Sequence, residues 1–100
     1  MKISDILSQN TIITTLKSAT KRQLIEDMSA RLAKHENIDV HLVEDAMMER
    51  ENLGSTGFGD GVALPHARLS SAKRVKAYFA KLPEAIDFDA ADGQKTDLFF

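Results

Sequence analysis

The chain has 100 residues, of which 43% are hydrophobic, and this length and composition predict a single domain over residues 1–100. It contains no cysteine, which excludes disulfides and thiolate metal sites and favours a reducing compartment, so we expect a cytoplasmic protein. The formal net charge of −2 gives no global attraction to nucleic acid, and no run of about 18 apolar residues predicts a membrane span.

The N-terminal half predicts a strand followed by a helix. Residues 11–16 are rich in β-branched side chains, which is typical of a strand. Thr20 and Gln23 have the spacing of a capping box, so a helix is expected to begin there and to end near Glu36 and Asn37. The face that it turns to the core is predicted from apolar residues at helical spacing: Leu24, Ile25, Met28, Leu32 and Ala33.

A second helix is predicted directly after the first. Asp39 suits its N-cap position, and the helix is expected to reach Leu53 before Gly54 ends it. Its buried face is predicted to combine apolar side chains with the stem of one arginine: Val43, Ala46, Met47 and Arg50.

The C-terminal half predicts short strands separated by turns. The strands are expected at residues 62–64, 75–82, 86–88 and 97–100. Pro83 is expected to mark one turn and Asp92-Gly93 another. The last strand ends on Phe100 and is strongly apolar, so it requires neighbours on both sides or presents an adhesive edge.

The loop at residues 54–66 is rich in glycine and ends with a proline and a histidine. Glycine-rich loops often bind anions, because they let successive backbone N–H groups converge. No Lys-Ser/Thr pair follows these glycines and their spacing is not GxGxxG, so a nucleotide is not implied. We expect a flexible or tightly turned rim that places the hydroxyls of Ser55 and Thr56 beside His66.

His66 has three candidate chemical roles. As a metal ligand it lacks companions, because His35 and His41 lie in or between the predicted helices. As the base for a serine nucleophile it lacks a Gly-x-Ser-x-Gly elbow. As a phosphoryl acceptor, neutral imidazole attacks with one nitrogen while a hydrogen bond holds the other. The residues alone leave open a further interpretation, a half-buried histidine that closes a strand.

A bound phosphoryl group needs amide donors, hydroxyls and a guanidinium around it, because it is strongly anionic. The residues that can supply these donors lie just before the histidine. We therefore predict a site in which His66 is catalytic and the phosphate is stabilised by Arg50, Ser55, Thr56 and Gly57, with Gly59 as a further amide donor.

Two segments resemble a known family. Residues 50–68, RENLGSTGFGDGVALPHAR, resemble the active-site signature of the type-2 (mannitol/fructose class) IIA components of the bacterial phosphoenolpyruvate-dependent phosphotransferase system. Residues 86–100, IDFDAADGQKTDLFF, resemble the segment that follows it. Within the family the sequence is most similar to the nitrogen-regulatory branch, and a fructose-specific IIA shares much of both segments. The fold implied is α/β, a small mixed β-sheet flanked by helices.

The resemblance implies that His66 accepts a phosphoryl group from a histidine-containing phosphocarrier protein, with Arg50 steadying the phosphate. In nitrogen or potassium regulation the phosphorylation state is itself the signal, read by a transporter or sensor kinase. In a sugar-specific relative the group moves on to a cysteine of a IIB component, and a non-catalytic regulatory binding module is a further alternative. No cofactor, metal or nucleic acid is implied.

Family members continue beyond the strand that ends this chain, through a histidine-bearing helix and a C-terminal helix. We therefore expect the domain to lack its C-terminal part, and the family's second histidine has no counterpart here. Such a fragment is expected to be less stable than a full domain or to associate through exposed apolar surface.

Two further features concern the surface. Phe58 lies between glycines, where an aromatic side chain contacts a partner or simply packs. Basic residues follow the histidine, and this cluster is either a solvated strip or a patch for a phosphate or an acidic partner: Arg68, Lys73, Arg74, Lys76 and Lys81.

Overall fold

The computed structural model describes residues 2–5, 7–69 and 75–100. Two short 3-10 turns, Ile3–Asp5 and Gln9–Thr11, precede the first strand. The helices and strands then follow in the order β1 (Ile12–Ile13), α1 (Lys21–Glu36), α2 (Val40–Asn52), β2 (Gly57–Gly59), β3 (Val62–Ala63), β4 (Phe79–Ile86) and β5 (Thr96–Phe99).

The five strands form one mixed sheet in the order β1-β4-β5-β3-β2. β1 is parallel to β4 and β3 is parallel to β5, whereas β4 is antiparallel to β5 and β2 to β3. The predicted α/β fold, a small mixed sheet flanked by helices, is confirmed. The apolar strand at the end of the chain, β5, lies at the centre of the sheet, so its two edges are paired rather than exposed.

Helix α1 begins at the predicted capping box. The hydroxyl of Thr20 accepts a hydrogen bond from the amide of Gln23 at 3.1 Å. The Gln23 side chain accepts from the amide of Ala19 at 3.0 Å, one residue before the usual capping-box partner. The helix ends at Glu36 as expected, because Asn37 adopts the left-handed conformation with a φ of 57°.

Helix α2 begins after Asp39, whose carboxylate accepts from the amide of His41 at 2.9 Å. The predicted N-cap is therefore confirmed. The helix ends at Asn52, one residue before the predicted end, and Leu53 is its C-cap.

The strand predictions are less accurate than the helix predictions. The strand predicted at residues 11–16 is only two residues long, and the one predicted at 75–82 is displaced to Phe79–Ile86. Pro83 was expected in a turn, and this is wrong, because it lies inside β4. Strand β1 pairs with β4 only as far as Ala80, and the pairing of β4 with β5 is irregular between Lys81 and Ile86, so the missing amide of proline is tolerated there.

The segment after β4 also differs from its prediction. The strand expected at residues 86–88 is wrong in its extent, because β4 ends at Ile86 and Phe88 lies outside the strands. The predicted turn at Asp92-Gly93 is confirmed, since the amide of Gly93 donates to the carbonyl of Ala90 at 3.0 Å. A φ of 72° at Gly93 explains the glycine at this turn.

One hydrophobic core lies between the sheet and the helices. Its largest fully buried aromatic rings, Phe88 and Phe99, meet edge to face with centroids 5.1 Å apart. The predicted face of α1 is confirmed, because Leu24, Ile25 and Ala33 are buried. Each large buried side chain contributes about 1.5–3 kcal/mol. The whole cluster comprises Ile13, Leu16, Leu24, Ile25, Ala63, Tyr78, Ala80, Leu82, Ile86, Phe88 and Phe99, with Met28, Leu32, Met47 and Met48 packed against it.

Candidate functional site

His66 lies three residues beyond β3, after Leu64 and Pro65, and its side chain is exposed. Its Nδ1 lies 3.0 Å from the carbonyl oxygen of Leu64. A carbonyl only accepts hydrogen bonds, so Nδ1 carries the ring proton in this contact. The other nitrogen, Nε2, is therefore unprotonated in the neutral ring, and its lone pair can accept a hydrogen bond.

Arg50 comes to the same ring from the last turn of α2. Its Nε donates to Nε2 of His66 at 3.3 Å, and its Nη1 donates to the carbonyl of Gly54 at 2.9 Å. A guanidinium only donates, so this contact also requires an unprotonated Nε2. Two independent hydrogen bonds thus select one tautomer of His66, with the proton on Nδ1.

The glycine-rich segment before His66 is a β-hairpin, which corresponds to the tightly turned alternative of the prediction and not to the flexible one. β2 and β3 pair through Gly57 with Ala63, and their two-residue connection is Asp60-Gly61. Both connecting residues have positive φ, 54° and 81°, as a type I′ hairpin turn requires. The Asp-Gly pair was the signal in the sequence that would have predicted this hairpin.

Gly57 is required by a close approach of two backbones. A Cβ at this position would lie 2.7 Å from the Cα of Ala90. The carbonyl of Gly57 also accepts from the amide of Ala91 at 3.2 Å. The contact fixes β2 against the segment between β4 and β5, so the hairpin before His66 has a defined position.

The other predicted phosphate-stabilising residues have hydrogen-bonding partners within the loop. The hydroxyl of Ser55 donates to the carbonyl of Phe88 at 2.7 Å and accepts from the amide of Gly57 at 3.0 Å. Thr56 is buried and gives both its amide and its hydroxyl to Glu51, at 2.8 and 2.6 Å. In the described part of the chain, these polar atoms therefore hold the loop in its conformation. Arg50, by contrast, contacts the imidazole ring of His66.

Glu51 was not predicted to have a role at the site. It follows Arg50 directly, its side chain is 2% exposed, and it forms an ion pair of 2.9 Å with Lys21 at the start of α1. Burial raises the pKa of Glu51, but the hydrogen bonds from Thr56 and the ion pair with Lys21 lower it more, so the pKa lies below its usual range. The sequence signal that could have identified Glu51 was its position, a charged residue next to the predicted buried face of α2.

The surface features predicted from the sequence have separate outcomes. Phe58 is 73% exposed on β2, an edge strand of the sheet. Lys76 pairs with Glu36 at 3.1 Å and Lys81 with Asp97 at 2.8 Å, so these two cations are neutralised by neighbouring acids. Lys73 and Arg74, the central residues of the predicted basic cluster, lie outside the described residues.

The remaining histidines lie away from this site. His41 is exposed at the start of α2, and His35 contacts Glu36 and Tyr78. Among residues 2–5, 7–69 and 75–100, no three His, Asp or Glu side chains are grouped so that they can hold a metal ion. In the same ranges, no helix has the length and apolar character needed to cross a bilayer.

Comparison with known proteins shows which family the chain belongs to. Residues 5–100 match the family model described as phosphoenolpyruvate-dependent sugar phosphotransferase system, EIIA 2. The chain is 35% identical to a nitrogen regulatory protein of Bradyrhizobium diazoefficiens, over all of this chain and 65% of that protein. It is 33% identical to the fructose-specific EIIABC component of Bacillus subtilis, over all of this chain and 16% of that protein.

A solved structure supports the same assignment. The crystal structure of nitrogen regulatory protein IIA-Ntr from Neisseria meningitidis superposes with a TM-score of 0.91 at 34% identity, covering 98% of this chain and 67% of that one. The chain thus spans about two thirds of the length of these two nitrogen regulatory proteins. From the family model, the relatives and the shared fold, the chain belongs to the type-2 EIIA family of the phosphoenolpyruvate-dependent phosphotransferase system.

Proposed function

We propose that this chain is a phosphotransferase IIA protein that accepts a phosphoryl group on Nε2 of His66 from a histidine phosphocarrier protein, in nitrogen or potassium regulation in the cytoplasm. The observation that carries the proposal is the pair of contacts on the His66 ring. Leu64 accepts from Nδ1 at 3.0 Å and Arg50 donates to Nε2 at 3.3 Å. The ring is exposed, so a protein donor can reach it.

The proposed reaction moves a phosphoryl group between two imidazole rings. The lone pair on Nε2 of His66 attacks the phosphorus atom, a new N–P bond forms, and the N–P bond of the donor breaks with its electron pair returning to the donor ring. His66 becomes cationic in this step. The carbonyl of Leu64 stabilises the cation, because its hydrogen bond from Nδ1–H becomes charge-assisted.

Arg50 occupies two successive positions in the proposed reaction. Before transfer its Nε–H occupies the lone pair of Nε2 in a long hydrogen bond of 3.3 Å, which is readily broken. When the phosphoryl group arrives, the guanidinium moves to the phosphoryl oxygens and partly neutralises their charge. The bond from Nη1 to the carbonyl of Gly54 keeps the side chain over the site during this exchange.

A sugar-specific function is the second candidate, because the fructose-specific EIIABC relative is 33% identical and the nitrogen regulatory relative 35%. In that function the phosphoryl group passes from His66 to a cysteine of a IIB component. A IIB acceptor distinguishes the two candidates, because only the sugar-specific protein is then dephosphorylated with transfer of label to the acceptor. A phosphoprotein that keeps its label supports the regulatory function.

The proposal is tested by supplying the phosphoenolpyruvate-driven carrier cascade and locating the modification by mass spectrometry. We expect one acid-labile phosphoryl group on His66, and none in the His66→Ala variant. His41→Ala is the matched control, since it removes an exposed histidine on α2 and is expected to leave labelling unchanged. Labelling that persists in His66→Ala, or no labelling of the unaltered chain, contradicts the proposal.

A further inference from the structure

The carboxylate of Glu51 organises the loop under the His66 site. Its Oε1 accepts from the amide of Thr56 at 2.8 Å and its Oε2 from the hydroxyl of Thr56 at 2.6 Å. Oε1 also pairs with the ammonium group of Lys21 at 2.9 Å. Both donors of one loop residue are thus held by one buried side chain of α2.

A short path of hydrogen bonds continues from this clamp to the imidazole. The carbonyl of Thr56 accepts from the amide of Leu64 at 3.0 Å, which joins the residue before β2 to the residue after β3. The carbonyl of Leu64 then accepts from Nδ1 of His66 at 3.0 Å. The position of the group that fixes the ring proton therefore depends on Thr56, and Thr56 depends on Glu51.

The same carboxylate adjoins the second contact of the ring. Glu51 follows Arg50 in the last turn of α2, so fixing Glu51 to the loop also fixes the backbone from which the guanidinium reaches Nε2. Lys21 neutralises the carboxylate, which reduces its repulsion of an arriving phosphoryl group. Packing alone does not explain a carboxylate here, because an apolar side chain fills buried space at a lower desolvation cost.

Resting on the proposed function, we infer that Glu51 is a positioning residue for phosphoryl transfer. It acts through Thr56 and Leu64 to hold His66 in the tautomer with an unprotonated Nε2, and it makes no contact with the phosphoryl group. The lowered pKa of Glu51 supports this role, because the carboxylate stays charged and accepts from both Thr56 donors at neutral pH.

The test compares Glu51→Gln with Glu49→Gln, an exposed position on the same helix that carries the same charge change. In Glu51→Gln we expect kcat for phosphorylation by the carrier to fall about tenfold to a hundredfold with little change in KM, because the nucleophile is misplaced while the surface that meets the carrier is kept. Nitrogen-15 NMR of His66 is expected to show a single Nδ1–H tautomer in the unaltered chain and in Glu49→Gln, and a mixture in Glu51→Gln. A folded Glu51→Gln with unchanged tautomer and kcat overturns the inference.

A second pair of variants applies if Glu51→Gln does not fold. Thr56→Val removes the hydroxyl donor, and Thr56→Ser keeps it. In Thr56→Val we expect a mixture of tautomers and a lower kcat. In Thr56→Ser we expect most of the kcat to be kept and the Nδ1–H tautomer to predominate. Equal behaviour of the two variants contradicts the inference.

The two readouts separate this inference from the proposed function. If the carrier does not phosphorylate the unaltered chain, the proposed function fails, yet the tautomer of His66 is still measured without any carrier. A mixture of tautomers in Glu51→Gln then supports the positioning of the ring by Glu51, and a single Nδ1–H tautomer overturns it.

Discussion

Nε of Arg50 lies 3.3 Å from Nε2 of His66, so a guanidinium from the last turn of α2 contacts the unprotonated ring nitrogen. The two residues are 16 positions apart in the sequence, and the hairpin of β2 and β3 lies between them. The glycines of this hairpin serve its turn and its close backbone contact with Ala90, and thereby return the chain to the end of α2.

Replacing Arg50 by Ala is expected to slow phosphorylation by the carrier about tenfold to a hundredfold. A hydrogen bond to a charged group contributes about 1.5–3 kcal/mol, and each 1.4 kcal/mol corresponds to about a factor of ten. Arg50→Lys keeps the charge but loses the fork of donors, so its rate is expected to lie between the rates of Arg50→Ala and the unaltered chain. Rapid-quench kinetics measure the rates, with urea unfolding as the check on folding. An unchanged rate in Arg50→Ala would show that Arg50 takes no part in the transfer.

Replacing Gly57 by Ala is expected to destabilise the domain by about 1–3 kcal/mol, because the new Cβ would lie 2.7 Å from the backbone of Ala90, and the hydrogen bond from Ala91 to Gly57 holds the two segments together. Gly54→Ala is the comparison, since a Cβ there meets no atom within 4 Å, although its φ of 155° still carries a backbone cost. Urea unfolding measures both variants. A smaller loss at Gly57 than at Gly54 would show that the close contact is not the reason for the glycine.

Acid is expected to destabilise the domain partly through Glu36. The hydroxyl of Tyr78 and Nδ1 of His35, with a smaller contribution from Lys76, lower the pKa of Glu36 to about 2 from 4.5, although burial opposes them. Because the folded-state pKa is the lower one, this carboxylate stabilises the fold above pH 4.5 and the contribution is lost as the pH falls towards 2.

The size of this effect is about 1–2 kcal/mol after allowance for screening by water. Urea unfolding between pH 6 and pH 2.5 measures it, and Glu36→Gln is expected to lose less stability over that range than the unaltered chain. Equal losses in the two proteins would show that Glu36 is not a source of the acid sensitivity.

Phe58 is expected to contribute to binding of the carrier rather than to folding. Its side chain is 73% exposed on an edge strand next to the loop that leads to His66. Phe58→Ser is therefore expected to change the free energy of unfolding by no more than about 0.5 kcal/mol, and to raise the KM for the carrier. Ile12→Ser is the control, because Ile12 is 48% exposed on β1 at the opposite edge of the sheet. Equal KM values for the two variants would show that Phe58 does not contribute to binding of the carrier.

The helices were predictable from the sequence because their ends carry local chemical signals. Thr20 with Gln23 and Asp39 each satisfy amides at a helix start, and this needs no information about distant parts of the chain. The strands were less predictable because pairing is set by partners far away in the sequence. Pro83 belongs to β4 only because the neighbouring strands leave its position without an obligatory amide bond.

The candidate site was predictable in part, because the chemistry of two of its residues is recognisable in the sequence. His66 and Arg50 are marked by their chemistry, and the structure brings them into contact. The hydrogen bonds of Ser55 and Thr56 go to a carbonyl and a buried carboxylate, because the loop must satisfy its own polar groups before it can serve a ligand. Glu51 was missed because a carboxylate on a helix is usually solvated, and its burial depends on Lys21 from another helix.

The proposed reaction at His66 is tested by finding which nitrogen of the ring carries the phosphoryl group. Nitrogen-15 and phosphorus-31 NMR of the chain, recorded before and after phosphorylation by the carrier, report the ring proton and the N–P bond separately. We expect a proton on Nδ1 in both states and phosphorus bonded to Nε2 after transfer. A phosphoryl group on Nδ1, or an Nε2–H tautomer before transfer, would contradict the proposed reaction.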